Sequence, residues 1–185
     1  MKKIKIIVGG LLLFMSVTSG AQDKFYTKTG KITFFSSAPM EDIEAINKTV
    51  TAVVDSKTGD VQFSVLMKGF EFKKALMQEH FNEKYIESDK YPKADFKGQI
   101  TNNSAVNYTV DGSYNATVKG KLTIHGVTKD VETPGTVVVK SGKVTVKAVF
   151  NILIADYNIT VPNIHRDNIS KSIKITVDCL LEPVK

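Results

Sequence analysis

The chain of 185 residues has no tryptophan, one cysteine, one arginine and three histidines. Each scarcity removes a class of protein. Cys179 alone makes no disulfide framework, because small exported folds stapled by disulfides carry an even set. It keeps parity with Ile173, Ile175 and Val177, the place of a small buried apolar residue, and nothing near it supplies the electropositive setting of a reactive thiol. With Arg166 as the sole arginine, there is no clustered basic face for nucleic acid. His80, His125 and His165 show no metal-ligand spacing, so no metal is expected and each reads as serving local backbone groups. A Gly-x-Ser-x-Gly elbow, a cysteine beside a base, a phosphate loop and a dinucleotide fingerprint are all missing. The expectation is a protein that is not an enzyme and has no cofactor; a hydrolase on a lipid-like substrate stands as an alternative.

Long hydrophobic runs are also scarce. The run Ile6 to Met15 follows Lys2, Lys3 and Lys5 and precedes Ser19-Gly20-Ala21. It is too short for a spanning helix, which needs ~20 apolar residues. The pattern predicts a signal peptide over residues 1–21, cleaved before Gln22, and one domain over 22–185. A periplasmic or secreted protein without stable membrane insertion follows. No cysteine stands near the cleavage site, so lipoprotein anchoring is excluded. Beyond the leader, 22 basic side chains face 19 acidic ones, a mild excess that serves solubility rather than a polyanionic partner. The oligomeric state stays open, a homodimer included.

What the chain has in quantity is period-two alternation, the mark of strands with one buried face. Val61, Phe63, Val65 and Met67 alternate with Gln62, Ser64, Leu66 and Lys68. Val118, Gly120, Leu122 and Ile124 oppose Thr117, Lys119, Lys121 and Thr123. Val144 to Ile154 and Ile173 to Cys179 each keep one parity. Further strands fit Gly30–Ser36, Val50–Asp55, Ala94–Thr101, Asp130–Thr133 and Thr136–Lys140. Lys57-Thr58-Gly59-Asp60, His125-Gly126-Val127, Thr133-Pro134-Gly135 and Ser141-Gly142-Lys143 read as turns. About eight or nine closely spaced strands predict an antiparallel sandwich or closed barrel rather than a crossover fold.

One stretch departs from this pattern. Between Phe72 and Ser88, Leu76, Met77, His80, Phe81 and Tyr85 share one face of a helix. It must stop before Tyr91-Pro92, since the residue preceding proline disfavours the α region. A second short helical turn is expected at Pro39–Ile46. The helix face should lie over the barrel, either lining a ligand path or plugging the barrel end, with His80 the polar group best placed to meet a head group. An eight-stranded barrel either fills its interior or leaves room for one ligand, and both remain open here. In the hollow case the expected ligand-binding residues are Phe34, Phe63, Val65, Met67, Phe72, Leu76, Met77, His80, Phe81, Tyr85, Phe96, Phe150 and Ile152. The filled alternative is a stress-response or interaction barrel with no ligand.

His80-Phe81 and Tyr91-Pro92-Lys93-Ala94-Asp95-Phe96 resemble a helix-then-strand signature of YceI-like proteins. Gly120 to Val131, reading GKLTIHGVTKDV, resembles that family's most specific strand-turn-strand motif. Asp156-Tyr157-Asn158-Ile159 falls where the family has an acidic-aromatic-small segment. The resemblance implies a lipocalin-like antiparallel β-barrel, exported to the periplasm, that carries or sequesters an isoprenoid or other long-chain lipid. Three features depart from the family pattern. Tryptophan is missing near the mature N-terminus, Gln78-Glu79 replaces Arg-Asp before the helix histidine, and Ile154-Ala155 stands where a basic residue is common. The resemblance therefore implies an apolar chain without assigning its head group.

Overall fold

The alternating runs form nine strands in the computed structural model, which describes residues 23–184. The expected leader over residues 1–21 lies outside the described residues. The strands are β1 (Lys24–Ser37), β2 (Asp42–Asp55), β3 (Asp60–Leu66), β4 (Phe70–Phe72), β5 (Lys93–Ile100), β6 (Gly112–Ile124), β7 (Val127–Lys140), β8 (Lys143–Leu153) and β9 (Ser172–Pro183). The sheet runs β1-β9-β8-β7-β6-β5-β3-β2-β4, and β1 also pairs with β2, so it closes on itself. Every pairing is antiparallel. Because β3 and β4 pair with successive parts of β2, they act as one bent strand. The result is an eight-stranded closed barrel, one of the two forms the alternation left open and the lipocalin-like form the resemblance implied.

A polar side chain holds that bend. Asn47 is fully buried and donates through Nδ2 to the Leu66 carbonyl at 2.8 Å. Its Oδ1 accepts from the Thr49 N–H and hydroxyl at 2.8 and 2.9 Å. Buried polar atoms need such partners, and here they cover the carbonyl where β3 leaves its ladder.

The helical insert is shorter than the period of its apolar residues predicted. Phe72 ends β4 rather than opening a helix; α1 spans Ala75–His80, and a π-turn continues it over Phe81–Tyr85. Of the helical turn expected at Pro39–Ile46, Asp42 to Ile46 instead begin β2, paired to β1 from Ser37↔Asp42 onward. Sequence alternation there is poor, and the long-range pairing decides the conformation.

The expected turn at Thr133-Pro134-Gly135 is likewise absent, for β7 runs unbroken through it. Thr117 opposite turns its N–H to Asn102 and its carbonyl to Thr101, so Pro134 faces β8 with no N–H to give. There the β7–β8 ladder ends, at Gly135↔Ala148. The two strands part toward the far end, and the turn Ile154–Tyr157 packs against both.

The barrel is therefore asymmetric. At the end holding the β7–β8 hairpin, Phe25, Val54, Val106, Val139, Val144 and Leu181 form a solid core, with Phe25 stacked on Tyr108 at 5.9 Å. The opposite end carries the insert, the turn 38–41 and the long connection 154–171.

Candidate functional site

Between these ends lies a cavity of about 540 Å³, inside the range of roughly 300–1,000 Å³ for sites that hold one small molecule. The barrel is hollow, which sets aside a filled interior. Ile100, Ala116 and Val137 are among its floor residues, and the walls come from alternate positions of the strands, such as Val61, Val65, Leu122, Val146, Ile173 and Ile175.

All thirteen residues singled out from the sequence border this cavity. Phe63, Val65 and Met67 come from the end of β3 and the bend after it, Phe96 from β5, and Phe150 and Ile152 from β8. Phe34, Phe72 and Phe81 meet near the open end. Phe81 lies 5.4 Å from Phe34 and 5.0 Å from Phe72, and Phe70 adds a ring 5.7 Å from Phe81. Aromatic pairs at these spacings gain about 0.5–1.5 kcal/mol beyond burial, so the cluster stiffens that wall. Leu76, Met77, His80 and Tyr85 complete the helical side, although Leu76 remains 60% exposed at the rim. Burial raises the Tyr85 hydroxyl pKa.

Two glycines shape the opposite wall. Gly98 and Gly120 face each other across β5 and β6, and an added Cβ on either would stand 2.6 or 2.7 Å from Phe96 Cζ. The Phe96 ring thus lies flat over backbone, and the cavity keeps its width.

The sequence reading passed over several lining residues. Ile43, Val131, Ile159 and Ile169 belong to the wall, but short irregular segments and long-range pairing place them, so no local period marks them. Glu41, Lys74, His165 and Asn168 also border the cavity at its open end. Lys74 Nζ meets Glu41 Oε1 at 2.7 Å.

His125, at the β6–β7 turn, ties three rim elements together. Its Nε2 lies 2.8 Å from Glu87 Oε2, its Nδ1 3.0 Å from the Tyr157 carbonyl, and its ring packs edge-on against Tyr91 at 4.5 Å. The turn itself is Ile124-His125-Gly126-Val127 with φ of 50° and 74° at its centre, the two-residue hairpin geometry whose twist suits the strands.

Among the described residues, no group of three or more His, Cys, Asp or Glu side chains is placed to hold a metal ion. Cys179 is buried, and burial pushes its thiol up to about 11.

A closed antiparallel barrel around a deep apolar cavity defines a class: hollow β-barrels with an apolar interior. Within it, the chain belongs to the YceI-like domain family, whose model matches residues 14–181. Solved structures agree on the fold. A polyisoprenoid binding domain from Saccharophagus degradans is 16% identical, with a TM-score of 0.76 over 88% of this chain and 99% of that one. Burkholderia cenocepacia BcnA is 19% identical, with a TM-score of 0.66 over 82% and 95%. The Campylobacter jejuni YceI protein is 18% identical, with a TM-score of 0.55 over 72% and 81%. No curated protein matches the chain.

Proposed function

We propose that this protein is a non-catalytic carrier that holds a long apolar chain, of the isoprenoid type or similar, inside its barrel. The observation that carries this reading is the hollow, almost wholly apolar interior of about 540 Å³. Likeness to a protein described as a polyisoprenoid binding domain supports the ligand class. The thirteen residues from Phe34 to Ile152 named above are the proposed contacts. A hydrocarbon chain gains ~0.8 kcal/mol per buried methylene. Roughly ten of them supply ~8 kcal/mol, before the cost of ordering the chain is subtracted. The leader pattern Lys2 to Ala21 supports action in the periplasm or outside the cell.

The test is native mass spectrometry with solvent extraction of protein purified from its own host. A long-chain lipid should co-purify and should be missing from Val131→Trp, which places an indole in the cavity. A wild-type protein repeatedly free of apolar ligand, and unable to take up a long-chain probe once delipidated, would sink the proposal. Sequencing of the mature N-terminus from a periplasmic fraction should begin at Gln22; Met1 would end the export reading.

A further inference from the structure

The cavity's polar groups are unevenly placed. Ser36 Oγ already accepts the Ser170 N–H at 2.9 Å, and Thr133 Oγ1 donates to the Pro134 carbonyl at 3.1 Å. Asp95, Thr136 and Lys147 occupy outward positions of β5, β7 and β8, between inward neighbours such as Ala94 and Phe96. What remains gathers at the open end: Glu41 just before β2, Lys74 just before α1, His80 at its last residue, and His165 and Asn168 in the connection from β8 to β9.

Among the described residues, the rings of His80 and His165 and the Asn168 amide have no hydrogen-bond partner. Lys74 is different. Its ammonium is held by Glu41 at 2.7 Å, and the Glu41 side chain is the more sheltered of the two, 26% exposed against 67%. An anionic group at the mouth would meet a cation already neutralised and a carboxylate beside it, and juxtaposed like charges oppose binding. A hydroxyl, carbonyl or amide would instead find donors and acceptors with no charge to oppose it.

We propose that the ligand enters tail first and that Glu41, Lys74, His80, His165 and Asn168 form a head-group subsite for an uncharged, hydrogen-bonding head. The subsite selects long-chain alcohols or carbonyl compounds over phosphate esters of the same chain. It rests on the carrier reading above, because a head-group preference has meaning only if the cavity holds the tail. Glu41 is the discriminating residue: it pairs with Lys74, which borders the cavity at its open end.

The experiment compares geranylgeraniol with geranylgeranyl diphosphate, titrated into delipidated protein by competition with a fluorescent long-chain probe. The wild type should bind the alcohol at least about tenfold more tightly, a difference of about 1.4 kcal/mol. Glu41→Gln frees Lys74 and should shift the ratio toward the diphosphate by about tenfold or more. Lys74→Met should shift it the other way. Equal or tighter diphosphate binding by the wild type would overturn the proposal, as would a ratio unmoved by Glu41→Gln in a protein whose β spectrum is unchanged. If neither compound displaces the probe from a protein that binds the probe, the head-group reading fails alone. If the probe itself does not bind, the carrier reading fails and takes this one with it.

Discussion

At the scale of single residues, two buried groups have measurable consequences. Asn47 satisfies three hydrogen bonds at the bend between β3 and β4. Asn47→Leu removes them and leaves the Leu66 carbonyl without its partner, a loss of about 1–3 kcal/mol to be read from the urea midpoint. Cys179 ionises near 9 when unfolded and about 11 when folded. The unfolded chain therefore releases its proton first as pH rises. The stability this thiol contributes is complete below pH 9 and lost as pH climbs through the folded value, by about 2–3 kcal/mol. Tyr108, raised to about 12 chiefly by burial, adds a loss of the same sign at higher pH. Denaturation across this window should be steeper in pH for wild type than for Cys179→Ala. Identical slopes would contradict the assignment. The buried thiol should also resist aromatic disulfide reagents until the protein is unfolded.

At the scale of elements, the β7–β8 seam of the open end is held by polar ties rather than by a ladder. Beyond Gly135↔Ala148 the β7–β8 pairing stops, and the contact of His125 with the Tyr157 carbonyl links the start of β7 to the turn after β8. The same ring reaches Glu87 on the far side of the helical insert. His125→Asn separates these ties from the backbone requirement, because asparagine tolerates the positive φ of 50°. Amide exchange should quicken over residues 73–91 and 154–161 and stay unchanged in the hairpin of β7 and β8 at the solid end. A uniform change would mean that the ring supports the whole fold rather than its rim. A stability loss of about 1 kcal/mol is expected for the lost hydrogen bonds.

At the scale of the whole molecule, the proposed carrier divides stability and binding between its solid end and its hollow end. The core around Phe25, Val54 and Leu181 anchors the barrel while the far half keeps its cavity. A ligand that fills the cavity binds only the folded chain, so at about a hundred times its dissociation constant it should add ~2.7 kcal/mol. That corresponds to a rise of roughly 5–11 °C in Tm. Delipidated wild type should show this shift with a long-chain alcohol. Val131→Trp should not, and an equal shift in that variant would place the ligand elsewhere.

The sequence by itself determined most of the strands, their inward faces and the apolar character of what they enclose. Parity is a local property: one residue's side of a strand follows from its neighbour's, so Val61 to Met67 and Val144 to Ile152 could be assigned without knowing their partners. The same holds for the cluster from Leu76 to Tyr85, whose shared face is visible from spacing alone. Tertiary structure decided what spacing cannot express. Pro134 reads locally as a turn, yet it sits within a strand because its missing N–H falls where β8 has already parted from β7. Pro39–Ile46 reads as a short helical turn, yet pairing with β1 extends Asp42 to Ile46. Whether thirteen apolar side chains fill a barrel or line a hollow one depends on closure, on the Gly98 and Gly120 wall beneath Phe96, and on where the insert lands. The Glu41–Lys74 pair joins residues 33 apart in sequence, and only the folded rim brings the two charges together.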